Sequence, residues 1–326
     1  MDRRAFLLAA IAAPAALRRG LAPAPARAGG AQPVALVTAD RESHVVVLDL
    51  ASARVLSRLP TAPGPRAVEA VHGLTAVVAH TAHGLVSLLA ASPLGLRAEL
   101  DGFAAPRYAA AHPREPIAYV TDSGRAEVVA LDVARARVLS RVAVPGPARH
   151  VTISPDGRTI WTALGTKAER VAVLDASDPR RPRLVRTLAP PFLAHDVVFA
   201  PDGRGVWVTS GAERRIALYE PAARRPSRLL PADAPPQHVG FSRGRAFVAS
   251  GDDGTVRLHR LDGRLLRRAA VPVGSYNVCV GGGGRPSAVT PSLSRGTVAL
   301  LDARGRVRAV RTVARAAHDA CVLLSP

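Results

Sequence analysis

Histidines beside acidic residues are the part of this sequence best suited to chemistry. Six such residues occur at or next to equivalent points of a repeating pattern: His150, His195, Asp196, His238, His318 and Asp319. Neutral imidazoles bind zinc, copper or iron, and a neighbouring carboxylate either joins the ligands or orients a ring. If the fold brings these side chains together, they predict a site for a transition metal or for acid-base chemistry.

The same pattern also fits two roles without a metal. A histidine at such a point satisfies backbone groups of a turn, with no ligand at all. Alternatively, Arg66, Arg107 and Arg149 hold a small anionic ligand. No compact zinc motif, nucleophile elbow, phosphate-binding loop or dinucleotide fingerprint is present, so the sequence leaves open whether the protein is an enzyme.

The elements that must position these residues form an internal repeat. Its landmark is a short apolar strand that ends in a small or hydroxyl residue, and the ends of successive copies are 40 to 46 positions apart. Seven copies are found, at residues 34–38, 75–79, 117–121, 159–163, 205–209, 246–249 and 287–290. A regular repeat of this length indicates a solenoid or a propeller.

Each landmark strand is followed by a strand with period-two alternation and then by a strand rich in arginine. A fourth strand enters a turn that contains glycine. Four short strands in 40 to 45 residues are typical of a propeller blade, so we predict an all-β, seven-bladed β-propeller. Aligning the innermost strands places seven residues at the mouth of the central channel: Asp319, Arg66, Arg107, His150, Asp196, His238 and Asn277.

Three short motifs resemble a known family. Tyr119-Val120-Thr121-Asp122, Ser154-Pro155-Asp156-Gly157-Arg158 and Ala200-Pro201-Asp202-Gly203-Arg204 are similar to the YVTN repeat of exported, YncE-like propellers, which are related to WD40-like repeats. The resemblance extends over residues 34 to 326. It implies the fold, but not one activity, because that family and its relatives include binding proteins, lactonases and redox enzymes.

The two ends of the repeat region predict how the ring closes. The C-terminal segment from Asp319 to Leu324 reads as a lone innermost strand, which would complete the first blade. Arginines of the third strand in each repeat would then lie on the outer edges, where charge prevents edge-to-edge aggregation. The alternative role for this basic rim is docking on an anionic envelope component or a protein partner.

The first 28 residues read as a signal peptide of the twin-arginine type. Arg3 and Arg4 precede an apolar stretch too short to span a bilayer, and Ala26-Arg27-Ala28 supplies small residues for cleavage. We therefore expect a signal peptide at 1–28, a linker at 29–33 and the propeller at 34–326. The mature protein is expected in the periplasm or outside the cell.

Composition limits the partners of this chain. Its formal net charge is +19, and Lys167 is its only lysine. The arginines form neither a basic stripe nor a nucleic-acid-binding module, so we expect no nucleic acid partner. No run of residues in the mature chain is long and apolar enough for a transmembrane helix, and we expect a monomer. Cys279 and Cys321 are predicted to be two free thiols.

Taken together, these observations favour an exported binding or interaction scaffold of the cell envelope. The alternative is a metal-dependent or lactonase-like enzyme that works at the histidine-rich mouth of the channel. A transition metal is the cofactor that this alternative requires.

Overall fold

Seven antiparallel sheets of four strands surround a central channel. The computed structural model describes residues 33–280 and 288–324, and within them the chain forms strands β1 to β28. The predicted all-β, seven-bladed propeller is confirmed. The predicted signal peptide at 1–28 lies outside the described residues.

Each blade runs from an inner strand at the channel to an outer strand at the rim. Blade 2 consists of β4 (Ala67–Val71), β5 (Thr75–His80), β6 (Leu85–Ala91) and β7 (Leu94–Leu100), with a short 3-10 helix at Thr81–His83. Blade 3 consists of β8 (Pro106–Ala111), β9 (Ile117–Asp122), β10 (Glu127–Asp132) and β11 (Arg137–Ala143). Blade 4 consists of β12 (Val151–Ile153), β13 (Thr159–Ala163), β14 (Val171–Asp175) and β15 (Arg183–Leu188).

The next three blades repeat this order. Blade 5 consists of β16 (Val197–Phe199), β17 (Val206–Thr209), β18 (Arg215–Tyr219) and β19 (Arg228–Pro231). Blade 6 consists of β20 (Val239–Ser242), β21 (Arg245–Ser250), β22 (Thr255–Arg260) and β23 (Leu265–Ala270). Blade 7 consists of β24 (Cys279–Val280), β25 (Ala288–Ser292), β26 (Thr297–Leu301) and β27 (Val307–Thr312).

Blade 1 joins the two ends of the repeat region. Its outer three strands are β1 (Pro33–Ala39), β2 (His44–Asp49) and β3 (Val55–Pro60), and its inner strand is β28 (Ala317–Leu324). Strand β28 pairs antiparallel with β1, with Cys321 opposite Leu36 and Ala320 opposite Val37. The predicted closure of the ring by the C-terminal strand is therefore confirmed.

The two middle strands of each blade are buried on both faces because each blade is packed between two neighbours. Among the described residues, seven apolar clusters are found, and each lies between one pair of adjacent blades. Between blades 4 and 5, Trp161 packs edge-on against Tyr219 and Phe199, with ring centroids 5.5 and 6.3 Å apart. Such aromatic packing adds to the free energy gained by burial.

Side chains of the repeat motif form hydrogen bonds to backbone groups outside their own strand. In blade 3, the Tyr119 hydroxyl donates to the carbonyl of Pro179, and the Thr121 hydroxyl donates to the carbonyl of Arg149, both in or beside blade 4. Asp122 accepts the N–H groups of Ala104 and Ala105 at 2.7 and 2.8 Å. These side chains satisfy buried backbone groups that the strand ladders cannot reach.

The outer strands are half-exposed and carry many of the arginines, as expected of protected edges.

Cys279 and Cys321 are free thiols. Cys279 packs between blades 7 and 1, and Cys321 packs between blades 1 and 2, so the two face different interfaces. In the described part of the chain, no helix has the length and apolar character needed to cross a membrane.

Candidate functional site

Two consecutive residues at or close to the start of each inner strand lie at one mouth of the channel, and we call the two sets the inner ring and the outer ring. The inner ring, which lines the channel, consists of Asp319, Ala67, Tyr108, His150, Asp196, His238 and Asn277. The outer ring consists of the residues that precede them, His318, Arg66, Arg107, Arg149, His195, Gln237 and Tyr276. Outer-ring N–H groups, such as those of Arg66 and His195, donate to the last carbonyl of the landmark strand.

This arrangement corrects the sequence alignment in two blades. Arg66 and Arg107 were expected in the inner ring, but the structure places them in the outer ring. Ala67 pairs with Ala79 at the end of the landmark strand of blade 2. In blade 3, the Tyr108 N–H donates to the Thr121 hydroxyl, as the Asp196 N–H does to that of Thr209. A register shift between Pro106 and Ala109 moves Arg107 out of the equivalent position.

Three histidines from three consecutive blades converge at this mouth. His150 and His238 belong to the inner ring, and His195 reaches them from the outer ring. A possible ligand nitrogen of each lies within 4.8 Å of those of the other two. The ring centroids are 4.6 Å apart for His150 and His195, 4.7 Å for His150 and His238, and 5.3 Å for His195 and His238.

The hydrogen bonds of these rings leave nitrogens free to bind a ligand. The Nδ1 atom of His195 lies 3.1 Å from the carbonyl oxygen of Thr166. The Nδ1 atom of His238 lies 3.3 Å from a carboxylate oxygen of Asp196. Neither ring nitrogen of His150 has a hydrogen-bond partner with acceptable geometry among the described residues, although both are buried. A buried polar group without a partner is costly, and a bound ligand would remove that cost.

Burial keeps the imidazoles of His150 and His195 neutral. It lowers the pKa of His150 well below its usual range, and the neighbouring His195 and His238 lower it further. Burial, followed by the effect of His238, lowers the pKa of His195 to about 3. Neutral imidazole is the form that binds a metal ion, so both rings are in the competent state at neutral pH.

Space around His195 depends on a glycine that the sequence did not single out. Gly211 has a φ of +67°, and a Cβ atom there would lie 2.7 Å from the Cβ atom of His195. Any larger residue at this position would have to displace the histidine, so Gly211 helps to fix the site.

His318, Asp319 and Asp196 make contacts that connect blades. The Nδ1 atom of His318 lies 2.8 Å from the carbonyl oxygen of Arg66. Asp319 accepts the N–H of Val68 at 3.0 Å and the side-chain amide of Asn277 at 2.5 Å. Burial raises the pKa of Asp319 to about 6. Asp196 likewise accepts the N–H of Val239, at 3.2 Å, while it faces His238.

The structure thus brings together three of the six predicted metal-site residues and places a fourth, Asp196, beside one of them. His318 and Asp319 lie at the same mouth and connect blades there. The third hypothesis, anion binding by Arg66, Arg107 and Arg149, concerns residues that all lie in the outer ring, in blades 2 to 4.

Tyr108 is a site residue that the sequence analysis missed. Its ring centroid lies 4.4 Å from that of His150 and 5.5 Å from that of His238. Burial raises its pKa to about 12, so the phenol is neutral and can donate a hydrogen bond. The signal that could have found it is spacing, because Tyr108 precedes Thr121 by the same interval at which His150 precedes Ala163 and Asp196 precedes Thr209.

The channel forms a cavity of about 700 Å³ lined by all seven inner strands, and His150 and His238 belong to its lining. Glu69 lines this cavity, and burial, followed by the effect of Asp319, raises its pKa to about 8. The cavity is large enough for water or a small ligand to reach the histidines.

No protein-family model matches this sequence, and no curated protein sequence is significantly similar to it. Solved structures share the fold. Hydrazine synthase of Kuenenia stuttgartiensis is 15% identical with a TM-score of 0.68, and the match covers 79% of this chain and 89% of that one. Apo AztD of Citrobacter koseri is 15% identical with a TM-score of 0.69, and the match covers 90% and 98%.

A protein of unknown function from Desulfotomaculum acetoxidans has a TM-score of 0.79 at 12% identity, and the match covers 90% of this chain and 99% of that one. At such identities, these likenesses establish the seven-bladed propeller and nothing about the site.

Proposed function

We propose that this protein is an exported propeller that binds one transition-metal ion through His150, His195 and His238. The observation that carries the proposal is the convergence of three histidines, of which His150 and His238 are buried and His195 is half-buried, with ligand nitrogens within 4.8 Å of one another. The proposed location is the periplasm or the outside of the cell. The resemblance to exported YncE-like propellers supports it.

A ligand accounts for these histidines better than a structural role does. A histidine with a structural role has its ring nitrogens bonded to the protein, as His80 does through the carbonyl of Pro63 and the hydroxyl of Ser87. His150 is buried, yet neither of its nitrogens makes a well-formed hydrogen bond within the described part of the chain, and the nearby backbone of His195 offsets only part of the effect of burial on its pKa. A metal ion would supply the missing partner.

The donor set favours zinc or copper. Three neutral imidazoles are nitrogen donors that suit both ions, and a three-histidine site leaves a coordination position for water or another ligand. The Nδ1 atom of His195 contacts the Thr166 carbonyl, and the Nδ1 atom of His238 contacts Asp196. Contacts of this kind orient metal-bound histidines. In this proposal, Asp196 positions His238 and is not a ligand.

The channel cavity that His150 and His238 line supports a second candidate function. Its volume of about 700 Å³ would admit a small substrate beside the metal, and Tyr108 would be a proton donor there. Metal-dependent hydrolysis of a lactone is therefore the enzymatic alternative to metal binding alone. Assays of lactone hydrolysis by the metal-loaded protein would separate the two.

Metal titration of untagged, chelator-stripped mature protein tests the proposal. We expect one zinc or copper ion to bind per chain, with a rise in melting temperature. His150→Ala and His238→Ala should each weaken binding by about a hundredfold or more, since each removes a ligand. Asp196→Asn should weaken it by about ten- to a hundredfold.

Three control variants make this test specific. His83→Ala removes an exposed histidine of the 3-10 helix, and His259→Ala removes a buried histidine of blade 6 that lies outside the cluster. Both should keep full metal affinity. His318→Ala distinguishes the three-histidine site from the larger set expected from sequence, and it should also keep the metal. Stoichiometric metal in the His150 and His238 variants, or none in the parent protein, would overturn the proposal.

A further inference from the structure

Three arginines occupy consecutive places in the outer ring, beside the histidine cluster. They are Arg66 of blade 2, Arg107 of blade 3 and Arg149 of blade 4, and we refer to them as the arginine arc. The arc meets the histidine cluster in blade 4, because the Tyr108 ring lies beside both the Arg149 guanidinium and the His150 ring, at 5.9 and 4.4 Å from its centre. A ligand bound to the arc would therefore lie next to the proposed metal.

Two members of the arc have no acidic partner. Arg66 forms an ion pair with Asp40 at 2.9 Å. Among the described residues, no carboxylate lies within ion-pair distance of Arg107 or Arg149. The Nε atoms of both are buried without a hydrogen-bond partner. Guanidinium groups that lack an acidic partner are well suited to bind a carboxylate or phosphate.

The three guanidinium groups also repel one another. Burial, followed by the charges of Arg149 and Arg66, lowers the pKa of Arg107. The guanidinium carbon of Arg149 lies 5.9 Å from the centre of the Tyr108 ring, so the aromatic face supports it. The acids nearest to the mouth, Asp196 and Asp319, already accept backbone N–H groups. The arc therefore keeps an excess of positive charge that folding alone does not explain.

We infer that the arginine arc binds the carboxylate or phosphate group of a small ligand, placed so that this ligand also reaches the open position of the metal. The second part of this inference rests on the metal site proposed above, whereas the first part does not. The ligand class is thus a small oxyanion that coordinates the metal while the arc holds its negative charge.

The experiment uses inorganic phosphate and succinate as probes of the metal-free protein, with sodium chloride at matched ionic strength. We expect both probes to raise the melting temperature of the parent well beyond the effect of chloride. Arg107→Gln and Arg149→Gln should each weaken binding of the probes by at least tenfold. Arg308→Gln removes an exposed arginine of strand β27 and is the matched control, which should bind like the parent.

Melting without added anion separates binding from structure. If the arc exists to bind a ligand, Arg107→Gln should melt at or above the temperature of the parent, because it removes repulsion and breaks no ion pair. If Arg107→Gln melts clearly lower, or if phosphate and succinate stabilise the parent no more than chloride does, the inference is wrong.

Repeating the phosphate titration on protein loaded with one zinc ion tests the link to the metal. We expect tighter phosphate binding than in the metal-free protein. Equal affinity in both forms would overturn the shared-ligand part of the inference. If zinc itself does not bind, the proposed metal function is wrong. The titration of the metal-free protein still tests whether the arginine arc binds an anion.

Discussion

Thr209→Val tests whether the hydroxyl residue that ends a landmark strand holds both the ring and the site together. Thr209 is fully buried in β17. Its hydroxyl accepts the N–H of Asp196 at 3.0 Å and donates to the carbonyl of Gln237, in the next blade, at 2.6 Å. Valine has nearly the same shape, so the change removes two hydrogen bonds and little packing.

The expected loss follows from the two backbone groups left behind. Each buried group without a partner costs about 1–3 kcal/mol, so for two groups we expect the variant to lose about 2–6 kcal/mol of unfolding free energy. For a domain of this size, that corresponds to a melting temperature lower by about 3–10 °C. Asp196 and Gln237 adjoin His195 and His238, so metal affinity should fall as well.

Thr162→Val is the matched control for this prediction. Thr162 is equally buried in the landmark strand of blade 4, but its hydroxyl has no hydrogen-bond partner among the described residues. Replacing it with valine should be neutral or stabilising, because an unsatisfied polar group is removed. Thermal unfolding of both variants beside the parent is the assay. Equal losses in the two, or a Thr209 variant that melts like the parent, would refute the reasoning.

Three further predictions concern the channel, the closure of the ring and export. The folded-state pKa of Glu69, about 8, lies above its ordinary 4.5, so the stability that this group contributes is complete below about pH 4.5 and is lost as pH rises toward 8. The loss of unfolding free energy is at most about 1.4 kcal/mol per pH unit and is reduced by channel water. The melting temperature of Glu69→Gln should therefore rise relative to that of the parent between pH 5 and 8.5. Parallel profiles of melting temperature against pH would contradict this. Deleting residues 317–326 removes β28 and the fully buried Leu323 and should abolish soluble protein, whereas a truncated chain that melts like the parent would disprove closure. Replacing Arg3 and Arg4 by lysine should leave precursor in the cytoplasm on fractionation, and normal export would exclude the twin-arginine route.

The blades and the closure of the ring could be predicted because they depend on local pattern. Period-two alternation and turn residues define each strand and hairpin within about 45 residues, and the spare C-terminal strand has one vacant place to fill. The positions of the inner-ring residues depend on spacing. In blade 3, where the register shifts between Pro106 and Ala109, only the interval to Thr121 identifies Tyr108 as the channel-lining residue. An alignment displaced by one residue places Arg107 in the inner ring, where the structure has Tyr108.

The histidine cluster could be predicted as a set of candidates but not as a geometry. His150 and His238 are separated in the inner ring by Asp196, so two blade interfaces lie between them. Their ring centroids nevertheless lie 4.7 Å apart, and His195, which precedes Asp196, joins them from the outer ring. The consecutive residues His195 and Asp196 thus have separate tasks: the first offers a ligand nitrogen, and the second ties blade 5 to blade 6 and faces His238. Sequence spacing identifies both residues, whereas their different roles follow only from the packing of three blades around the channel.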